Sequence, residues 1–77
     1  MLKINDVIKV SKNIQENIRA GDLGTVVYIF DVLPPVYEIE FTDDEGRTLD
    51  TVPLKEEDVR LYWVASTGTY VDSVVVN

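Results

Sequence analysis

The sequence predicts an all-β fold, a small barrel of short strands. Three observations carry that expectation. Apolar residues recur with a period of two or in short β-branched and aromatic runs. Turn residues (Gly, Pro, Asp) punctuate the chain between those runs. At 77 residues there is room for a single domain with a core that removes only about 60% of the unfolded surface from water. We take residues 1–77 as that domain, with 66–77 as a C-terminal hairpin extension.

The elements follow in order. Asp6–Val10 reads as a first strand. Ser11–Ala20 is polar, and Ile14 and Ile18, four apart, suit a helical turn or a structured loop. Gly21-Asp22 signals a turn, and Leu23–Phe30 is the strongest strand signal in the chain. Both faces of that run are apolar, as in a bent central strand shared between the two halves of a barrel. The paired prolines Pro34-Pro35 break the ladder. From Val36 to Thr42 alternation is clean: Tyr37, Ile39 and Phe41 share one face, and Val36, Glu38, Glu40 and Thr42 share the other. Asp43-Asp44-Glu45-Gly46 is a hairpin turn, Arg47–Val52 its return strand, and Pro53 the expected stop.

Leu54–Asp58 reads as a single helical or 3₁₀ turn, and Val59–Ala65 as the fifth strand. Ser66-Thr67-Gly68-Thr69 signals a second hairpin, and Tyr70–Val76 a final strand. Five strands with a long first loop and a one-turn helix before the fifth describe an SH3-like barrel carrying an extra C-terminal hairpin strand. A small β-sandwich is the alternative.

Composition excludes much chemistry. There is no Cys and no His, which removes disulfides, thiolate metal sites, imidazole ligands and every His-containing triad. Asp6, Asp22, Asp50 and Asp72 show no spacing that singles out an acid–base pair, and Ser11, Ser66 and Ser73 lack a histidine partner. The expectation is a non-enzymatic protein without metal or cofactor. No apolar run resembles a signal peptide or a membrane span, so a cytoplasmic location is expected.

The net charge is −7. Between Glu38 and Asp58 nine carboxylates face only Arg47 and Lys55, so this segment holds the whole imbalance. Such a charge repels phosphate backbones and anionic membranes, and no nucleic-acid or membrane partner is expected. The triplets Asp43-Asp44-Glu45 and Glu56-Glu57-Asp58 lack the alternating oxygen spacing of a calcium loop. They are ordinary solvated turns, or else they form one negative face, because the intervening strand returns the chain to the same region. A face of that kind steers a basic protein partner.

Tyr62 and Trp63 beside Arg60 combine residue types enriched at binding hot spots. We expect Trp63 to fill the core and Tyr62 to be at least partly exposed. Tyr70–Val76 is a β-branched run that must pair within the chain, with a copy or with a partner; pairing within the chain is the default.

Gly21-Asp22-Leu23-Gly24-Thr25-Val26-Val27 resembles the KOW element that opens a strand of SH3-like barrels in ribosomal and elongation proteins. That resemblance implies RNA binding, yet the basic residues of such elements are missing here. The chain to about residue 60 also resembles a family of short bacterial proteins of uncharacterised function with a G-D-x-G-T-V-V core. The matching elements are Asp6-Val7-Ile8, Gly21–Val27, Tyr37-Glu38-Ile39-Glu40-Phe41, Asp43-Asp44-Glu45-Gly46 and Leu54–Arg60; from Tyr62 onward the chain departs from the pattern.

That family is similar to the SH3-like barrel of the nitrile hydratase β subunit, whose metal ligands belong to the other subunit. The resemblance implies a barrel without a metal site. Its members often stand beside toxin-like or uncharacterised partner genes, which implies an immunity or antitoxin role. The expected activity is neutralisation of a basic partner, a toxin or an enzyme. The expected contacts are Asp43, Asp44, Glu45, Glu56, Glu57, Asp58 and Tyr62. The alternative is an accessory barrel that stabilises an enzyme partner through the apolar final hairpin.

Overall fold

The computed structural model describes residues 1–30 and 32–71. They form six strands: β1 Val7–Val10, β2 Leu23–Phe30, β3 Val36–Thr42, β4 Thr48–Lys55, β5 Val59–Val64 and β6 Thr69–Tyr70. A 3₁₀ turn, Glu56–Asp58, joins β4 to β5. All pairings are antiparallel, in the order β4-β3-β2-β1-β5-β6. The fold is all-β as expected, but the sheet has six strands and does not close. Its edges are β4 and β6. The expected strand Tyr70–Val76 is described only through Tyr70, and its remaining residues from Asp72 onward lie outside the described ones. Among the described residues no helix is long and apolar enough to cross a membrane.

One core serves the whole sheet. Ile8 and Val10 of β1, Val26 of β2, Tyr37, Ile39 and Phe41 of β3, Leu54 of β4 and Val59 of β5 are buried in a single cluster with Leu2 and Ile18. Residues from β4 and β5 can share a cluster only if the sheet curves over on itself, because three strands separate them in the hydrogen-bonded order. The alternation read in Val36–Thr42 holds, with Tyr37, Ile39 and Phe41 inward. Ser11–Ala20 forms a structured loop rather than a helical turn. It is closed by the bridge Gln15–Ile18 and plugged into the core by Ile18, which is fully buried.

Three register breaks interrupt the alternation, each an extra residue on one strand: Val27 in β2, Leu49 in β4 and Tyr62 in β5. They explain where the structure departs from the period-two reading. In β5, Tyr62 is the extra residue, so Trp63 does not follow Leu61 inward; it pairs with Val7 and Tyr70 instead. Trp63 is therefore half-buried and stands outside the core cluster. Tyr37, fully buried, is the largest side chain inside. In β2 the extra Val27 leaves Tyr28 and Phe30 facing outward and exposed, so the two apolar faces of that run are not both covered.

Pro53 does not end β4. It sits within the strand opposite Glu38, and since β4 is an edge, no ladder hydrogen bond is lost.

The G-D-L-G-T-V-V stretch is structural in detail. Gly21 has φ +96°, and its N–H donates to the Val10 carbonyl at 2.8 Å. The Asp22 carboxylate accepts the Arg19 N–H at 2.8 Å. A Cβ on Gly24 would lie 2.5 Å from Ile39 Cγ2 and 2.8 Å from Phe41 Cε1, so glycine lets β2 approach the core side chains of β3.

Candidate acidic interface

The acidic segment is one hairpin with a turn at each end. At its tip, Asp43 organises the reversal. Its Oδ1 accepts the N–H groups of Glu45 and Arg47, both at 2.9 Å. Its Oδ2 accepts Arg47 Nε at 3.1 Å. Gly46, at φ +83°, completes the turn. The Arg47 N–H above all, with the Glu45 N–H and the Arg47 guanidinium, holds the Asp43 carboxyl below the usual carboxylate range. The Arg47 guanidinium also reaches Glu45 at 2.8 Å. Asp44 forms no ion pair among the described residues.

At the far end of β4, Asp58 plays the corresponding part. It accepts the Lys55 N–H at 3.0 Å, capping the 3₁₀ turn, and pairs with Lys12 Nζ at 2.9 Å. The Lys12 ammonium is the chief reason that the Asp58 carboxyl is lowered, and the same bond raises Lys12. Glu56 lies 3.8 Å from the terminal amine of Met1, and Glu57 has no ion pair among the described residues.

The eight residues of β4 keep the two triplets apart by about 25 Å at ~3.3 Å per residue. They lie at opposite ends of the hairpin. Tyr62 stands apart from both, on β5. Lys9 Nζ sits 5.2 Å from its ring centroid, and the Tyr70 ring packs edge-to-face at 5.3 Å. It is half-buried and already engaged by these two neighbours.

What the fold does bring together is different. The hairpin tip faces the turn before β2 across an open cleft of about 450 Å³. Asp22, Asp43 and Asp44 line it with three carboxylates, Asn17 adds an amide, and Leu23, Phe41 and Leu49 supply apolar walls. Leu49 lies there because it is the extra residue of β4, and it is half exposed. Leu23 is 44% exposed. Acid around an apolar wall suits a lysine or arginine, whose stem packs on hydrocarbon while its head meets carboxylate. Asp43 and Asp44 are among the contacts expected from the sequence, whereas Asp22, Leu23 and Leu49 join them only through the fold. The signal was faint: a Gly-Asp turn reads as punctuation, and nothing in the spacing links it to a hairpin twenty residues on.

Residues 4–61 match a family described as a domain of unknown function, DUF4926. The chain belongs to this family. The match covers β1 to β4, the 3₁₀ turn and the start of β5, and so includes the cleft; the last hairpin lies outside it. No curated protein and no solved structure matches the chain.

Proposed function

We propose that this chain is a non-enzymatic binding protein of the immunity or antitoxin type, which neutralises a basic protein partner. The observation that carries the reading is the cleft at the hairpin tip, where Asp22 joins Asp43 and Asp44 around apolar walls, the latter two belonging to the segment that holds the whole imbalance of −7. A lysine or arginine of the partner enters the cleft, and the surrounding field speeds the encounter. Asp43 and Asp58 are committed to their turns, so Asp44 is the tip acid that meets the partner's cation, and Glu45, paired with Arg47, adds charge beside the cleft. Glu56 and Glu57, at the other end of β4, add long-range attraction. The same charge opposes RNA, and the G-D-L-G turn is occupied by its own hydrogen bonds rather than open to a phosphate.

We read the architecture as an opened SH3-like barrel similar to the nitrile hydratase β subunit. The order β4-β3-β2-β1-β5, the 3₁₀ turn between β4 and β5, and a single core spanning both halves support it.

The test is affinity capture from native cells at low and high salt, with the wild type and the double charge reversal D44K/E45K. A basic partner that elutes with salt and is lost from the variant supports the proposal. Capture of the same protein by both forms at both salts refutes it.

A second reading, an accessory subunit seated through the final hairpin, is favoured by Tyr70 and Val71, which are 68% and 39% exposed. It requires that truncation after Ala65 abolish assembly with the partner.

A further inference from the structure

The outer surface of β2, β3 and β4 carries a second feature, independent of the cleft. Cross-strand partners share a face, so the pairings define rows. Tyr28, Glu38 and Pro53 form one; Phe30, Val36 and Lys55 form the next; Thr25, Glu40 and Thr51 form a third. The Tyr28 and Phe30 rings pack edge-to-face, centroids 5.1 Å apart, yet remain 57% and 41% exposed. In the connection after β2, Val32 and Leu33 are also exposed, at 52% and 97%.

Two aromatic rings in contact with each other are thus left in water on one face of the sheet. Contiguous exposure of this kind marks an interaction surface. Aromatic anchors beside charge are the composition of binding hot spots. Along β2, Tyr28 lies about 17 Å and Phe30 about 23 Å from Leu23 in the cleft wall.

We propose that Tyr28 and Phe30, flanked by Glu38 and Glu40, form a protein-docking surface whose partner presents an apolar side chain with lysine or arginine next to it. Charge selects this occupant. Two carboxylates and one cation, Lys55, stand in the three rows, on a chain of net charge −7. A second copy brings the same negative field and is repelled. A basic partner satisfies Glu38 and Glu40 while its apolar side chain covers the rings.

The experiment is a titration of the full ¹⁵N-labelled chain with a short synthetic peptide in which lysine alternates with leucine and phenylalanine. Two control peptides replace the lysines by glutamate, or the apolar residues by serine. Backbone amide shifts should centre on Tyr28, Phe30 and Glu38 with the basic apolar peptide alone. Affinity should fall about tenfold in Y28S/F30S, as for loss of a hot spot. E38Q/E40Q should weaken it about threefold and flatten its salt dependence. Both variants sit on the outer face, and preserved amide dispersion shows that they fold. The shifts at Tyr28, Phe30 and Glu38 should persist in D44K/E45K, while any shifts at the cleft are lost, which separates this surface from the cleft.

The proposal is overturned by equal binding of the glutamate or the serine peptide, by shifts confined to the cleft, or by no shifts at all. It is also overturned if sedimentation gives a dimer that Y28S/F30S dissociates, since a second copy would then be the occupant.

Discussion

The carboxylate of Asp6 accepts the backbone N–H of Ala65 at 2.9 Å, joining the residue before β1 to the residue after β5 across 59 positions of sequence. Its other oxygen accepts the Lys3 N–H at 3.0 Å, and the side chain is almost wholly buried. A buried donor left without its acceptor carries its full desolvation cost. Asp6→Ala, which orphans both donors, should cost about 3 kcal/mol in urea unfolding. Asp6→Asn keeps one acceptor oxygen and should cost less. Equal stability of all three forms would remove Asp6 from the account.

Gly24→Ala tests the close approach of β2 to β3. The added methyl meets Ile39 and Phe41 at distances no side chain tolerates, so overpacking should cost about 1–3 kcal/mol in thermal or urea unfolding. Gly21→Ala meets open space, and only its φ of +96° opposes the substitution. The two losses should therefore differ in kind. Gly24→Ala broadens the signals of Ile39 and Phe41, whereas Gly21→Ala leaves the core signals sharp.

Acid should destabilise the fold through Asp43 and Asp58. Both carboxyls are lowered in the folded chain. Their contribution is present above the unfolded carboxylate pKa of about 4 and is lost as pH falls through the lower folded values. Stability measured by urea unfolding should drop below about pH 4. Asp58→Asn should shallow that slope, and Lys12→Met should do so by removing the main cause of the Asp58 shift. An unchanged slope in both variants would contradict the assignment.

Alkali acts through Tyr37. Burial is the main cause of its raised pKa, so the contribution is whole below the unfolded tyrosine value of about 10 and disappears as pH climbs through the higher folded one. Tyr37→Phe should blunt the alkaline loss of stability. It also strands the Leu2 N–H, which donates to the Tyr37 hydroxyl at 3.4 Å, at a cost of about 1 kcal/mol at neutral pH. An alkaline limb identical to that of the wild type would show that another group carries it.

Much of this architecture could be read from the chain, and the failures share a cause. The faces of β3 and the turns at Gly21, Gly46 and Gly68 were legible because alternation and turn chemistry are local properties. The three extra residues, Val27, Leu49 and Tyr62, were not, because a bulge leaves no mark on composition and reverses every face after it. That is why Trp63 was assigned to the core and why Tyr28 and Phe30 were not recognised as a surface. Pro53 was read as a stop because strand order, which makes β4 an edge, is not local. The acidic segment was found by charge alone. Its division into two ends depended on the length of β4, and its junction with Asp22 depended on how the sheet curves.

The central claim is that the acids at the hairpin tip recruit a basic partner, and the association rate tests it most directly. Stopped-flow mixing of the captured partner with the wild type and with D44K/E45K should be followed over a range of salt concentrations. The wild-type rate should fall steeply with salt, and the variant should be about tenfold slower at low salt with a flatter dependence. Identical rates and identical salt slopes for the two forms would contradict it.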